Sequence, residues 1–213
     1  MKYAMNLEMK GRACVVLGGG PVALRKVRTL VRAEARVTVV APEAVLDLAS
    51  LAMAGRVRWE RRGYEERDLD GASLVICATN DAAVNARAAQ AAKARGVLVN
   101  APAQPALSDF TVPASFARGR LLFTVSTDGG SPGLSRALRQ QLEELFPTAF
   151  GDWLEIVAAL RDDMKVKLAT PRDREAFWRQ ALNPDILALV RTGHIQEAKE
   201  KVIHAAHLSG AES

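Results

Sequence analysis

The sequence predicts an α/β fold in which a doubly wound parallel sheet is followed by a β-hairpin, a helix and a small helical C-terminal domain. The first observation is the run Ala13-Cys-Val-Val-Leu17, which breaks into Gly18-Gly19-Gly20 and then turns helical. The second is alternation, because apolar strand-like runs and helix-periodic runs succeed one another up to about residue 100. The third is the end of that alternation, where proline-broken and hairpin-like segments take over.

Residues 13–17 form the first strand. Behind the glycines, Ala23, Leu24, Val27, Leu30 and Val31 recur at helical spacing, and Arg36-Val-Thr-Val-Val40 is the second strand. Strand, glycine turn, helix and strand within about 30 residues make the βαβ unit of a Rossmann-like nucleotide site. Gly18 permits the tight turn, Gly20 lets the backbone approach a pyrophosphate, and Ala23 allows close packing of helix on strand. Gly18, Gly19, Gly20, Pro21 and Val22 are therefore the candidate phosphate-binding residues, at a helix start where the macrodipole favours negative charge. Taken alone, the glycines also fit an α/β turn that binds nothing.

Residues 43–54 are predicted helical, 57–60 and 73–77 as strands, 82–94 as an alanine-rich helix, and 96–99 as the next strand, ending at Asn100. Ligands of such sheets bind beyond the carboxyl ends of the strands. That edge gathers the glycines, Thr79, Asn80, Asp81 and Asn100. Thr79-Asn-Asp81 also reads as a helix cap, which is compatible with lining a cofactor. The second strand ends Val40-Ala-Pro-Glu43 rather than in an immediate carboxylate, so Glu43 either reaches a ribose or opens the next helix. No arginine stands there to receive a 2′-phosphate, which favours NAD over NADP.

After Asn100, 101–105 is a proline-broken loop, and 109–113 and 119–126 are strands expected to pair as a hairpin around 115–119. Thr127-Asp-Gly-Gly-Ser-Pro132 ends with Ser131 as N-cap and Pro132 at the first helical position. The helix it opens carries Leu134, Leu138, Leu142 and Leu145 on one face. The loop reads either as an ordinary cap or as an anion-receiving turn. Further helices are expected over 153–160, 171–182, 184–191 and 194–207, with His204 and His207 on one face of the last. A histidine pair without a third ligand nearby reads as solvated rather than as a metal site.

Composition bounds the rest. With 213 residues, 49% of them hydrophobic, the chain has material for one full core and a smaller satellite domain. No stretch reaches the ~18 apolar residues of a membrane span and the first residues lack a signal peptide's apolar core, so a soluble cytoplasmic protein is expected. Cys14 and Cys77 lie in apolar strands and read as small buried hydrophobes, not as a disulfide or metal ligands. A net charge of +5 and a pI near 9.5 suit an acidic ligand. The basic residues are scattered and aromatics are only 5%, which argues against nucleic acid.

Val15-Val-Leu-Gly-Gly-Gly20, Ala78-Thr-Asn-Asp81, Val99-Asn100, Ser108-Asp-Phe-Thr-Val-Pro113 and Ser126-Thr-Asp-Gly-Gly-Ser-Pro132, in this order, resemble the precorrin-2 dehydrogenase/sirohydrochlorin ferrochelatase family of sirohaem biosynthesis. The resemblance covers residues 1–147, and 148–213 match only loosely. It implies NAD-dependent oxidation of precorrin-2 to sirohydrochlorin, in some members with Fe²⁺ insertion, by a homodimer whose segment like 101–147 crosses to the partner. Implied domains are an NAD-binding domain at 1–112, a dimerisation segment at 113–148 and a helical domain at 149–213. The substrate is a macrocycle fringed with carboxylates, for which Arg118, Arg120, Arg136 and Arg139 are candidate partners. Ser126, Gly129, Gly130, Ser131 and Pro132 are candidate substrate-loop residues.

The family places an aspartate, proposed as its proton-handling group, three residues after the strand-ending asparagine. Here that position is Ala103, which cannot act as a base. Asp109 and Asp128 are the candidate substitutes, and either also reads as a turn buttress. The pattern implies that oxidation survives better than metal insertion. A carrier of NAD and tetrapyrrole without efficient turnover, or a chelatase with weak dehydrogenase activity, is the alternative. The hairpin and the Ser108–Pro113 segment argue against an unrelated dehydrogenase of a small acid.

Overall fold

The computed structural model describes residues 3–168 and 170–210, with side chains to Ala205. It divides into two compact units that meet in sequence between Val112 and Pro113.

The N-terminal unit holds five parallel strands, β1 (Ala13–Leu17), β2 (Arg36–Val40), β3 (Arg58–Glu60), β4 (Leu74–Cys77) and β5 (Leu98–Asn100). Their order is β3-β2-β1-β4-β5, with Val16 level with Val39 and with Ile76, and Ile76 level with Asn100. Helices α1 (Pro21–Arg32), α2 (Leu46–Met53) and α3 (Ala82–Ala94) connect them. Because both faces of the sheet are covered, the strands read as continuous apolar runs rather than as alternating ones. Cys14 and Val16 face the layer of Ala23, Val27, Leu30 and Leu48 from α1 and α2. Val15 and Leu17 face Ala88, Ala89 and Ala92 of α3, with Val75, Cys77 and Val99 alongside. Full burial of each Val or Leu contributes roughly 1.5–3 kcal/mol.

Two boundaries differ from the sequence expectation. The second helix begins at Leu46 rather than at residue 43, because the Val45 N–H donates to the Gly19 carbonyl at 2.9 Å and holds 42–45 against the glycine turn. The fifth strand begins at Leu98 rather than at 96, since Gly96 has φ +69° and Val97 N–H still bonds back to Ala92 of α3.

The C-terminal unit opens with an antiparallel pair, β6 (Ala114–Arg118) and β7 (Leu121–Val125), followed by α4 (Pro132–Leu145), α5 (Ala149–Lys167), α6 (Pro171–Ala181), α7 (Pro184–Arg191) and α8 (Ile195–Gly210). The hairpin therefore does not pair 109–113 with 119–126. Its first strand is 114–118, and a two-residue turn at Gly119-Arg120 joins it to β7, Gly119 supplying φ +57°. Side-chain packing sets this register: Phe116 lies opposite Phe123 and stacks on it with ring centroids 4.7 Å apart. Phe123 then meets Phe146, and Phe146 meets Phe150, at 4.6 and 5.0 Å. Phe150 and Trp153 continue into a helical core with Met164, Phe177, Ile186, Val190 and Val202. Gly151 lets α5 approach the hairpin turn, since a Cβ there would lie 2.9 Å from the Arg118 carbonyl carbon.

Candidate nucleotide-binding site

The chain winds outward from β1 through β2 to β3, then returns to the other side of β1 for β4 and β5. That reversal opens a crevice at the carboxyl ends of β1 and β4, the place where such sheets hold ligands. Gly18, Gly19 and Gly20 turn there, and each is glycine for a different reason. Gly18 takes φ +111°, donates to the Val40 carbonyl at 3.0 Å, and would overlap the Ala78 carbonyl if it carried a Cβ. Gly19 would overlap the Glu43 carbonyl. A Cβ on Gly20 would meet no protein atom within 4 Å, so its bareness keeps open space above the turn.

The N-terminus of α1 has no side-chain cap, and its first residue is Pro21. Orphan N–H groups and the positive end of the dipole are thus presented to that space. Beside it lies a cleft of about 370 Å³, walled largely by Val40, Pro42, Tyr64 and Val84 with Glu43 at its rim. A pyrophosphate over the open turn and an apolar ring in the adjoining cleft fit these residues. Glu43 is exposed and lies ahead of α2, so it lines the cleft rather than opening the helix.

Thr79, Asn80 and Asp81 line the same cleft. Asp81 caps α3, its Oδ1 accepting from Ala83 and Val84 N–H at 2.8 and 3.1 Å. Thr79 is held by Asn85, a residue that the sequence reading missed. Asn85 Oδ1 accepts from the Thr79 hydroxyl at 2.8 Å and its backbone N–H at 3.2 Å, while Nδ2 donates to the Thr79 carbonyl at 3.0 Å. The available signal was one asparagine among the buried alanines of α3.

Beyond β5 the chain loops back on the strand it has left, through three side-chain anchors. Val99 N–H donates to Asp109 Oδ2 at 3.0 Å, Asn100 Nδ2 to the Phe110 carbonyl at 3.0 Å, and Ala101 N–H to Ser108 Oγ at 2.8 Å. Asp109 Oδ1 lies 3.4 Å from Lys93 Nζ. Both of its oxygens are thereby engaged, which makes Asp109 a latch on the loop. Ala103 is exposed within that loop.

The remaining candidates belong to the C-terminal unit. Asp128 takes φ +52°, and its N–H donates to Ser126 Oγ at 3.3 Å. Thr127 organises the turn, its Oγ1 accepting from Ser131 N–H at 3.1 Å and lying 3.0 Å from Ser135 Oγ. Gly130 N–H donates to the Thr127 carbonyl at 2.9 Å, and Gly129 takes φ +85°. Ser131 caps α4 by accepting from Leu134 N–H at 3.1 Å, with Pro132 in the first turn, so this helix start is already satisfied.

Three of the four arginines are engaged within the unit. Arg118 donates to the Phe146 and Glu143 carbonyls at 2.8 and 3.1 Å, which closes the end of α4. Arg120 pairs bidentately with Glu155 at 2.8 and 2.9 Å, and Arg139 pairs with Glu143 at 2.6 Å. Arg136 is exposed. The His204 and His207 pair cannot be taken further, since the His207 side chain lies outside the described residues.

Cys14 and Cys77 are buried free thiols, each pushed up to about 11 by burial. They are neutral at ordinary pH and belong to the core.

Parallel winding, an open glycine turn, an uncapped helix and an apolar cleft at the strand reversal define a dinucleotide-binding protein of the doubly wound class. Residues 5–114, half of the chain, match the family described as "Putative NAD(P)-binding", and the chain belongs to that family. Residues 149–205 match the sirohaem synthase dimerisation region, which falls on α5 to α8.

Among curated relatives, a sirohaem synthase of Methylococcus capsulatus is 38% identical over 200 residues, covering 94% of this chain and 42% of its own length. One of Thioalkalivibrio sulfidiphilus is 38% identical over 198 residues, covering 93% and 40%. The chain thus spans about two fifths of the length of these relatives. Among solved structures, SirC, a precorrin-2 dehydrogenase, superposes with a TM-score of 0.74 at 26% identity, over 94% of this chain and all of that one.

Proposed function

We propose that this chain oxidises precorrin-2 to sirohydrochlorin with NAD⁺, as a cytoplasmic homodimer. The observation that carries the reading is the correspondence of nearly the whole chain with a solved precorrin-2 dehydrogenase, joined to a sheet edge whose open glycine turn fits a dinucleotide. When bound, NAD⁺ supplies the hydride acceptor. The chain's own part is to hold and orient. Gly18, Gly19, Gly20 and the N–H groups at Val22 and Ala23 receive the pyrophosphate, Pro21 presets the helix start, and Glu43 meets the ribose. Thr79, Asn80, Asp81 and Asn100 shape the edge beyond.

With alanine at 103 and Asp109 committed to Val99 and Lys93, the proton released on oxidation passes to water. Metal insertion needs pyrrole N–H protons removed and gains most from a positioned base. Oxidation is therefore the main activity and Fe²⁺ insertion the weaker one. Arg136 is the arginine assigned to substrate carboxylates, because it is exposed while Arg118, Arg120 and Arg139 are occupied. Asp128 and the loop of Ser126, Gly129, Gly130, Ser131 and Pro132 are proposed as further substrate contacts.

Self-association is supported by α4. Leu134, Leu138 and Leu145 are exposed on it, as is Leu122 on β7, and such a stripe marks an interaction face. The domain assignment follows, with cofactor binding at 1–112, dimerisation through 113–148 extended by the region at 149–205, and a helical remainder.

The test is NADH formation by purified protein given precorrin-2 and NAD⁺, followed by Fe²⁺ insertion into sirohydrochlorin with the wild type and Ala103→Asp. Catalytic NADH with slow insertion, accelerated in Ala103→Asp, is expected. Binding of both ligands without turnover would establish the carrier reading instead.

A further inference from the structure

The side-chain oxygen of Asn100 is an acceptor waiting for a donor. Asn100 ends β5 and is only 5% exposed. Its Nδ2 donates to the Phe110 carbonyl at 3.0 Å, which fixes the amide so that Oδ1 points away from that bond. Oδ1 is buried and has no hydrogen-bond partner among the described residues. A buried acceptor without a donor is costly, and folds keep few of them without a use. Gln104 Oε1 is likewise buried and unpartnered. Gln104 is only half-buried, however, and no recorded bond fixes which end of its amide faces which way.

Position says what the missing donor is. Asn100 is level with Ile76 of β4, which is level with Val16 of β1, two residues before the glycine turn. Two strand spacings separate β1 from β5, roughly 10 Å. The apolar cleft runs from the end of β2, beside Val40, Pro42 and Tyr64, past Gly18 to the end of β4, where Thr79, Asn80 and Asp81 line it. A dinucleotide with its pyrophosphate on the turn and its adenine at the β2 end of that cleft leaves the β4 end, beside Thr79, and Asn100 of the neighbouring β5 to its nicotinamide half. The nicotinamide carboxamide offers neutral N–H donors there.

We infer that Asn100 is a positioning residue that accepts a hydrogen bond from the nicotinamide carboxamide through Oδ1, fixing how the ring lies on the sheet edge. This rests on the NAD reading of the site. The loop latch gives the assignment its rigidity, since Asp109 and Ser108 secure the residues on either side of Asn100.

Calorimetric binding to the full chain tests this with three ligands. NAD⁺ carries the carboxamide, 3-acetylpyridine adenine dinucleotide replaces it with a methyl ketone that has no N–H, and ADP-ribose lacks the ring. The wild type should prefer NAD⁺ over the acetylpyridine analogue by roughly tenfold, the weight of one buried hydrogen bond. Asn100→Ala should bind the two within about twofold while holding ADP-ribose as the wild type does. Equal wild-type affinity for the two dinucleotides, or a preference that survives in Asn100→Ala, overturns the inference. Should Asn100→Ala lose ADP-ribose as well, the wild-type preference decides, its presence supporting the assignment and its absence overturning it. Failure of the wild type to bind ADP-ribose would instead overturn the nucleotide reading on which the inference stands.

Discussion

The two units solve the problem of burying apolar surface in opposite ways. The N-terminal unit closes on itself: its strands lie between α1 and α2 on one face and α3 on the other, and its unsatisfied groups collect at one edge. In the C-terminal unit, α4 buries little beyond Ser135 and leaves Leu134, Leu138 and Leu145 exposed. A complete core with an incomplete polar edge calls for a small ligand. An incomplete apolar face calls for another protein surface, and the proposed homodimer would supply it with a second copy. Ligand binding and association should therefore fail separately.

The largest expected effect tests the second half of that contrast. Leu134→Asp combined with Leu138→Asp places two charges on the uncovered stripe and should convert a dimer to a monomer, weakening association by more than ~1000-fold, about 4 kcal/mol. Sedimentation gives the mass and calorimetry the NAD⁺ affinity. If the mass does not change, or ADP-ribose binding is lost with it, the two faces are not separable in this way.

Next come the glycines. Gly19→Ala drives a Cβ onto the Glu43 carbonyl and should destabilise the N-terminal unit by ~1–3 kcal/mol while abolishing nucleotide binding. Gly20→Ala meets no protein atom within 4 Å, so its melting temperature should hold while NAD⁺ affinity falls about tenfold. Equal stability losses in the two variants would remove the distinction between packing and ligand space.

Asp109 gives a smaller effect. Asp109→Asn keeps an acceptor for Val99 N–H and loses only the partly exposed Lys93 pair, about 0.2–1 kcal/mol. Asp109→Ala loses the latch and should cost about 1–2 kcal/mol more. A latch predicts an unaltered pH–rate profile in Asp109→Asn. Loss of the acidic limb from that profile would make Asp109 a proton-handling group.

A further effect distinguishes the units by pH. Both cysteines lie in the N-terminal unit, with thiols raised by burial from 9.0 to about 11. An acid whose pKa is raised on folding contributes stability below its unfolded value and loses it as pH climbs toward the folded one. Trp59, in the N-terminal unit, should therefore report a melting temperature that declines between pH 9 and 11. Trp153 and Trp178 in the other unit should lag behind it. Parallel declines would refute the assignment of this sensitivity to the thiols.

The sheet was legible because its evidence is local. A buried parallel strand is a short apolar run, and Val-Val-Leu before three glycines announces both the strand and the turn. Ser131 and Pro132 announce α4 in the same way. The hairpin departs from the sequence expectation because Thr111 and Val112 look more strand-like than Ser115 and Ala117, whereas the actual register follows from Phe116 meeting Phe123. The arginines stand in the sequence as candidates for acidic groups because a sequence displays charge but not its partner. Glu155 and the end of α4 lie far from Arg120 and Arg118 in the chain. Asn85 escaped notice for the complementary reason, that its one carbonyl and one amide gain meaning only from Thr79 beside them.

By itself, the sequence determined the parallel α/β class, the glycine turn, the capping of α4 and the alanine at position 103, because each depends on residues adjacent along the chain or one helical turn apart. Only the tertiary structure decided that Gly19 serves packing while Gly20 opens space, that Asp109 is a latch, and that Asn100 keeps a buried oxygen free. Those properties arise where the ends of strands distant in sequence are brought side by side, and no local pattern encodes which groups will face one another there.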